Sequence, residues 1–183
     1  MSIRLLLSLL LLAPLGARAE TSAYAGQQTR DIKALSADEV AGYLAGHGLG
    51  LARPAELNGY PGPRHVLDLA GDLKLTPGQT AGLTRVFDAM HTAAVPLGGK
   101  LVAEETELDR LFTGRRATDD AVRALTAEIG RLQGELRAVH LQAHLATIKI
   151  LTPDQVAAYN RLRGYDDPGA PARDHVHHPQ GSP

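Results

Sequence analysis

The chain contains no cysteine and no tryptophan, and aromatic residues make up only 4% of it. Without cysteine there are no disulfides, no thiolate chemistry and no cysteine-ligated zinc, so packing must carry the stability. A core with few rings is built from Leu, Ala, Val and Ile, which suits thin helical packing better than a thick sandwich. The sequence also lacks a Gly-x-Ser-x-Gly elbow, a phosphate loop and a His-Glu-x-x-His helix. With no nucleophile–base pair in sight, it does not read as an enzyme. Glu104, Glu105 and Glu107 read as a solvated acidic helix face, balanced by Arg110, Arg115, Arg116, Arg123, Arg131 and Arg137 in surface pairs worth little each.

Long apolar runs are confined to the N-terminus. Residues 1–19 read as a secretory signal peptide: Arg4 is the positive n-region, Leu5 to Leu12 is an apolar run broken only by Ser8, and Ala17-Arg18-Ala19 is a small-x-small cleavage site. The run is too short for a permanent span, and no cysteine follows the cleavage site to take a lipid. The expectation is an exported, periplasmic protein with no stable membrane insertion. Removing residues 1–19 takes away Arg4 and Arg18 and no acid, so 17 basic residues face 20 acidic ones. That balance argues against a nucleic-acid partner.

What the sequence does have is one motif written twice. Thr76-Pro77-Gly78-Gln79 and Thr152-Pro153-Asp154-Gln155 are each preceded by a leucine, Leu75 and Leu151. Each predicts a helix start: Thr caps a free backbone N–H, Pro occupies the first helical position, and Gln reaches back to close a capping box. Leu151 and Val156 are placed as a hydrophobic staple.

The rest of the chain organises around these starts. Residues 20–33 read as polar and loose. Ser36-Ala37-Asp38-Glu39 opens a short helix that ends near His47-Gly48, Gly50 to Pro63 reads as a turn-rich loop, and a second short helix covers His65 to Asp72. From Pro77 to about Phe112, apolar residues at Leu83, Val86, Phe87, Met90, Ala94, Leu97, Leu101, Leu108 and Leu111 form one helical stripe. Pro96 and Gly98-Gly99 interrupt it, which predicts a bend or a break. After a turn at Gly114–Ala117, Thr118 starts a second long helix with its stripe from Val122 to Ile150. A last helix runs to about Arg163, and the Pro/Gly/His-rich residues 166–183 read as disordered. The fold class is therefore all-α: a signal peptide (1–19), an N-terminal segment (20–64), a long antiparallel helical hairpin with short flanking helices (65–165), and a His-rich tail (166–183). Two such helices cannot cover their own apolar faces, so the short helices or a second copy must do so, a homodimer being the economical solution.

An export signal, a long helical hairpin and two Leu-Thr-x-x-Gln boxes resemble the Spy/CpxP superfamily of periplasmic chaperones and stress adaptors, which includes zinc-resistance-associated proteins and periplasmic heavy-metal sensors. The resemblance covers roughly residues 65–165. It implies an all-α, cradle-like homodimer. Such a dimer holds unfolded proteins on a concave face without ATP, or binds a metal and signals to a membrane sensor partner. Client-holding members tend to be basic, whereas this chain is mildly acidic. The Asn58–His65 loop is not part of the chaperone motif.

Two sets of residues follow from these readings. For a client-holding protein with no required cofactor, the apolar residues left over from the stripe are Leu97, Leu101, Leu141, Leu145 and Ile148, an adaptable surface for varied partners. For a metal-responsive protein, His140 and His144 are four apart on one helix face. Folding the hairpin about Arg115–Arg116 puts His91 opposite His140 and Asp88 opposite His144. Imidazole and carboxylate ligands suit a divalent metal such as zinc, nickel, cobalt or copper(II). Metal-sensing relatives imply a ligand pair at the positions of His140 and His144; their paired first-helix histidines are matched here only by His91, beside Met90. The alternative for these histidines is a half-solvated edge of the stripe. His175, His177 and His178 in the tail are a second candidate, as a loose metal buffer. His47 and His65 are isolated and read as structural. A purely structural adaptor is the third reading.

Overall fold

The computed structural model describes residues 21–166. After a 3-10 turn at Gln27–Thr29, six helices follow: α1 Ala37–Leu44, α2 Arg53–Glu56, α3 Pro63–Asp68, α4 Pro77–Thr113, α5 Asp119–Thr147 and α6 Pro153–Arg163. There are no strands among the described residues. The all-α hairpin expected from the two apolar stripes is the fold found, with α4 (37 residues) packed along α5 (29 residues). At 1.5 Å per residue α4 is about 55 Å long.

The predicted interruption at Pro96 does not break α4, which runs through it. The reason for the small residues nearby is packing. A Cβ on Gly98 would lie 1.9 Å from the Tyr43 carbonyl oxygen, so glycine there is what lets the backbone of α1 lie directly on α4. The short helices thus fold back onto the hairpin and form two cores with it. One core gathers Ala94, Leu101, Ile129, Leu132 and Leu136, with Tyr43 and Leu51 packed against it. The other, at the open end, gathers Val66, Leu73, Leu83, Leu151 and Tyr159.

Three expectations need correction. The 20–33 segment is not loose throughout: Ile32 is buried beside the buried Leu35, and both the amide and the ammonium of Lys33 bond Asp109, at 3.2 and 3.3 Å. The Gly50–Pro63 loop contains α2, and its Pro61, Gly62 and Pro63 are buried. Glu105 is buried as well, with its carboxyl pushed up by desolvation, because it sits on the side of α4 that receives α1 and faces Tyr43.

The two Leu-Thr-Pro-x-Gln boxes form as predicted, with Thr76 and Thr152 accepting from Gln79 N and Gln155 N and each glutamine reaching back to its Thr amide. They then do something that two independent caps need not do. Gln79 Nε2 donates to Gln155 Oε1 at 2.8 Å, and Gln155 Nε2 donates to Gln79 Oε1 at 3.1 Å. Each amide also donates to a carbonyl just ahead of the other box, Gln79 to Ile150 O at 3.0 Å and Gln155 to Leu73 O at 3.1 Å. The starts of α4 and α6 are clasped by a reciprocal amide pair.

Removing one side of this clasp leaves the other amide and a backbone carbonyl short of partners, a loss of about 1–3 kcal/mol. Gln79→Ala and Gln155→Ala are each expected to lower stability by about that amount in urea unfolding. The double variant should lose clearly less than the sum, since the two residues share one network. Simple additivity would mean that the boxes act as separate caps.

Candidate functional site

All five histidines among the described residues line one cavity of about 730 Å³. Its walls come from three sources. The α1–α2 connection, residues 45–50, brings His47. Glu56 of α2 and the Gly62–His65 stretch form a second wall. The third is the hairpin itself, through Phe87, Met90, His91, His140 and His144.

The hairpin places His140 and His144 one turn apart on the inward face of α5, and both are buried, at 5% and 8% exposure. The covering backbone approaches each ring at a glycine. A Cβ on Gly48 would lie 3.2 Å from His140 Nδ1, and one on Gly62 would lie 3.0 Å from His144 Cε1. His144 Nδ1 is 2.6 Å from the Tyr60 carbonyl oxygen. A carbonyl only accepts, so the neutral ring carries its proton on Nδ1 and leaves Nε2 as a lone pair. His91 Nε2 lies 3.2 Å from the Ala45 carbonyl, which by the same logic leaves its Nδ1 unprotonated, and the ring stacks on Phe87. His140 Nε2 is buried with no hydrogen-bond partner. Burial, then repulsion from His144 and His47, pushes the His140 pKa down, so the ring is neutral at pH 7, the form that binds metal.

Glu56 is the charged counterpart. Its Oε1 accepts from Tyr159 Oη at 2.5 Å and Tyr165 Oη at 3.0 Å, and lies 3.5 Å from His65 Nδ1 and 3.6 Å from Arg163 Nε. Its Oε2 accepts from Gly62 N at 3.2 Å and faces His144 Nδ1 at 3.8 Å. Burial alone would raise its pKa, but the bonds from His65, Tyr159 and Tyr165 outweigh burial and hold it at about 2. The fully buried Tyr159 is pushed far up by burial and by the same carboxylate.

The sequence-predicted ligands are therefore only partly gathered. His91, His140 and His144 share the cavity, His91 at its exposed side, whereas Asp88 is exposed and outside it, the half-buried Phe87 and Met90 taking the inward positions of that turn. The four do not form one ligand set. The α1–α2 connection and the 60–63 loop lie against the hairpin and occupy its histidines separately, His91 beside the Ala45 carbonyl and His144 beside that of Tyr60. Among the described residues no three His, Cys, Asp or Glu side chains are grouped to hold a metal ion. His47 and His65, which the sequence reads as isolated and structural, line the cavity too, as does Glu56, which sequence reasoning passed over. Their only signal in the sequence is the Gly- and Pro-rich stretch between them, which permits close approach to the rings. His175, His177 and His178 lie outside the described residues.

The predicted client residues are dispersed. Leu101, at 1% exposure, is a core residue under α1 and is not offered to a partner, whereas Leu97 is half-buried against the same core. Leu141 and Ile148 are half-buried and Leu145 is exposed. The apolar groove that does exist is a different one, of about 690 Å³ between α4 and α5. It is lined by Gly82, Val86, Ala89, Met90, Ala93, Val139, Ala146 and Ile150, with Gln79, Arg85 and Gln142 among its polar members.

A family model described as heavy-metal resistance matches residues 40–158. No curated protein and no solved structure matches the chain. No helix among the described residues is long and apolar enough to cross a membrane.

The depressed Glu56 pKa has a consequence for acid stability. A carboxylate held at about 2 against an ordinary 4.5 stabilises the fold fully above pH 4.5, and that contribution is lost as the pH falls toward 2. Glu56→Gln is expected to be less stable than the parent at pH 7 in urea unfolding, with the gap closing between about pH 4.5 and pH 2. A gap independent of pH would mean that the carboxylate charge is not what holds the tyrosines.

Proposed function

The chain belongs to the heavy-metal resistance family, that of the Spy/CpxP-like and zinc-resistance-associated periplasmic proteins, and from that premise we propose that it binds a divalent heavy-metal cation in the histidine cavity. Membership itself supports a heavy-metal resistance or Spy/CpxP-like role in general terms, in a family that is typically periplasmic. The observation that carries the finer reading is the convergence of all five described histidines on one cavity from four separate segments of the chain. The donor chemistry fits a borderline-soft cation such as zinc, nickel, cobalt or copper(II), all of which take imidazole nitrogen. The orphaned His140 Nε2 gains a partner when such an ion binds. The protein acts without catalysis in this reading. Occupancy changes how the 45–50 connection and the 60–63 loop, already seated on the α5 histidines, are held there, and a membrane sensor partner reads that change.

The test is zinc and nickel calorimetry on the exported chain. His140→Ala, which removes the unpartnered nitrogen, should weaken binding at least tenfold, in line with loss of one ligand or its support. Unchanged affinity in His140→Ala would take the metal out of the cavity.

A second reading rests on the groove between α4 and α5. An ATP-independent chaperone would use this apolar surface for unfolded polypeptide. The parent chain should then suppress aggregation of an unfolding protein at near-stoichiometric ratio, and Val86→Asp should abolish the effect. No suppression at several-fold excess sinks this reading.

A further inference from the structure

One edge of α4 is covered by a single stretch of chain, residues 32–46, running antiparallel to it. Lys33 bonds Asp109 at 3.3 Å, and Tyr43 lies within the field of Glu105. The Tyr43 carbonyl oxygen sits on Gly98, and Gly46 sits on Ala94 and Val95. At the far end the Ala45 carbonyl lies 3.2 Å from His91 Nε2. The α4 residues under this strap repeat at three and four: Ala94, Gly98, Leu101 and Glu105, all buried. That spacing is one helix face. The first three are small or apolar and let the backbones close up. Glu105, at 8% exposure, is the exception.

A buried acid needs a cation or a donor beside it, and Glu105 has neither. Among the described residues no hydrogen bond or salt bridge reaches its carboxyl, and no neighbouring charge offsets the burial that pushes its pKa up. Lys33, the one basic residue of the strap, is bonded to Asp109. Glu39 of α1 is a second acid, held ionised by its bonds from Ser36. Burial, then the charges of Glu39 and Glu105, push the Tyr43 phenol up. From α5 the same core receives the aliphatic Ile129, Leu132 and Leu136, and Glu128 of that helix is bonded to Arg131. A buried carboxyl without a partner favours its protonated form. The strap's hold is therefore full below the ordinary 4.5 and is lost as the pH rises through the raised value. The strap also ends in a turn that depends on docking. Gly46, Leu49 and Gly50 are left-handed, with φ 68°, 43° and 83°, and a leucine held there is strained. From this turn Gly48 covers His140.

We propose that residues 32–46 are a proton-controlled strap: with Glu105 protonated the strap grips α4 and its end closes over the histidine cavity, and with Glu105 ionised it loosens and the cavity opens. Access to His140 is then set from a site two turns beyond Gly98 on α4. The inference goes beyond the metal reading and holds with or without a bound ion. His47, His91 and His140 face the same end of the strap. Charging them as the pH falls acts in the opposite sense, so the effect of Glu105 is read as a difference between proteins at each pH.

The experiment is amide hydrogen exchange read by mass spectrometry on the metal-free chain from residue 20 onward, corrected for intrinsic rates, between about pH 4.5 and about pH 8. The parent is compared with Glu105→Gln, which keeps the shape and removes the charge, with Glu105→Met as a second uncharged side chain, and with Glu39→Gln as the control for the other acid. Protection over residues 40–47 is expected to be alike in the parent and both Glu105 variants near pH 4.5. Near pH 8 it should be about fivefold or more greater in the variants, the cost of an unpaired buried group being removed. The middle of α5 should not differ, and Glu39→Gln should keep the parent's response. Diethylpyrocarbonate should modify His140 more slowly in Glu105→Gln than in the parent near pH 8. A ratio of variant to parent protection that stays constant across this range would overturn the proposal, as would lower protection in both variants or a pH response that disappears with Glu39→Gln. Strap protection that responds to Glu105 while His140 reacts at the same rate in parent and variant would overturn the control of the cavity.

Discussion

The reciprocal amide clasp between Gln79 and Gln155 is the contact on which the working end of this protein depends. A helical hairpin closed by a turn at one end is open at the other, and nothing in the hairpin alone dictates where a following helix should go. The clasp settles that by fastening the first residues of α6 to the first residues of α4. Once α6 is held there, Tyr159 is fully buried against Val66 and Leu83, and Tyr159, Arg163 and Tyr165 all reach Glu56. Glu56 in turn bonds the Gly62 amide, and the loop that carries Gly62 covers His144. A cap motif in one place thus fixes the roof of a cavity in another.

Glu56 has two roles that compete. It is the anchor for the C-terminal helix, and it is a carboxylate beside His65 and His144. A cation bound among these rings changes the field at Glu56 and weakens its hold on the protonated tyrosines and on Arg163 by simple charge competition. The end of α6 is then coupled to the cavity without any long-range network. The low pKa of Glu56, about 2, keeps this anchor charged across the neutral range and down through mildly acidic pH.

Much of the fold was legible in the sequence. The stripes of α4 and α5, the Thr-Pro-x-Gln starts and Gly164 as a stop all follow from local rules of period and capping, and they hold in the structure. Pro96 left a bend or a break open, and the helix runs on through it; a proline's cost is local, whereas the packing of α1 at Gly98 is not. The cavity was only half legible. His140 and His144 share a helix face by arithmetic, and His91 follows from folding the hairpin about its turn. Glu56 and His65 sit on the short helices α2 and α3 and His47 on the connection between α1 and α2; where these pieces dock is set by tertiary contact, and no periodicity reports it. Asp88 failed for a related reason: folding the hairpin gives the height of a residue along the axis but not the direction its side chain takes around it. Leu101 failed as a client residue because the stripe analysis could not count α1 as a cover.

The central claim is that the histidine cavity is where a metal binds, and ring-nitrogen NMR tests it most directly. The account predicts that, on addition of one equivalent of zinc to the chain from residue 20 onward, the ring nitrogens of His140 and His144 shift together, consistent with metal coordination by neutral imidazole. Ring nitrogens of all five cavity histidines that stay where they were, while zinc is bound, would contradict it.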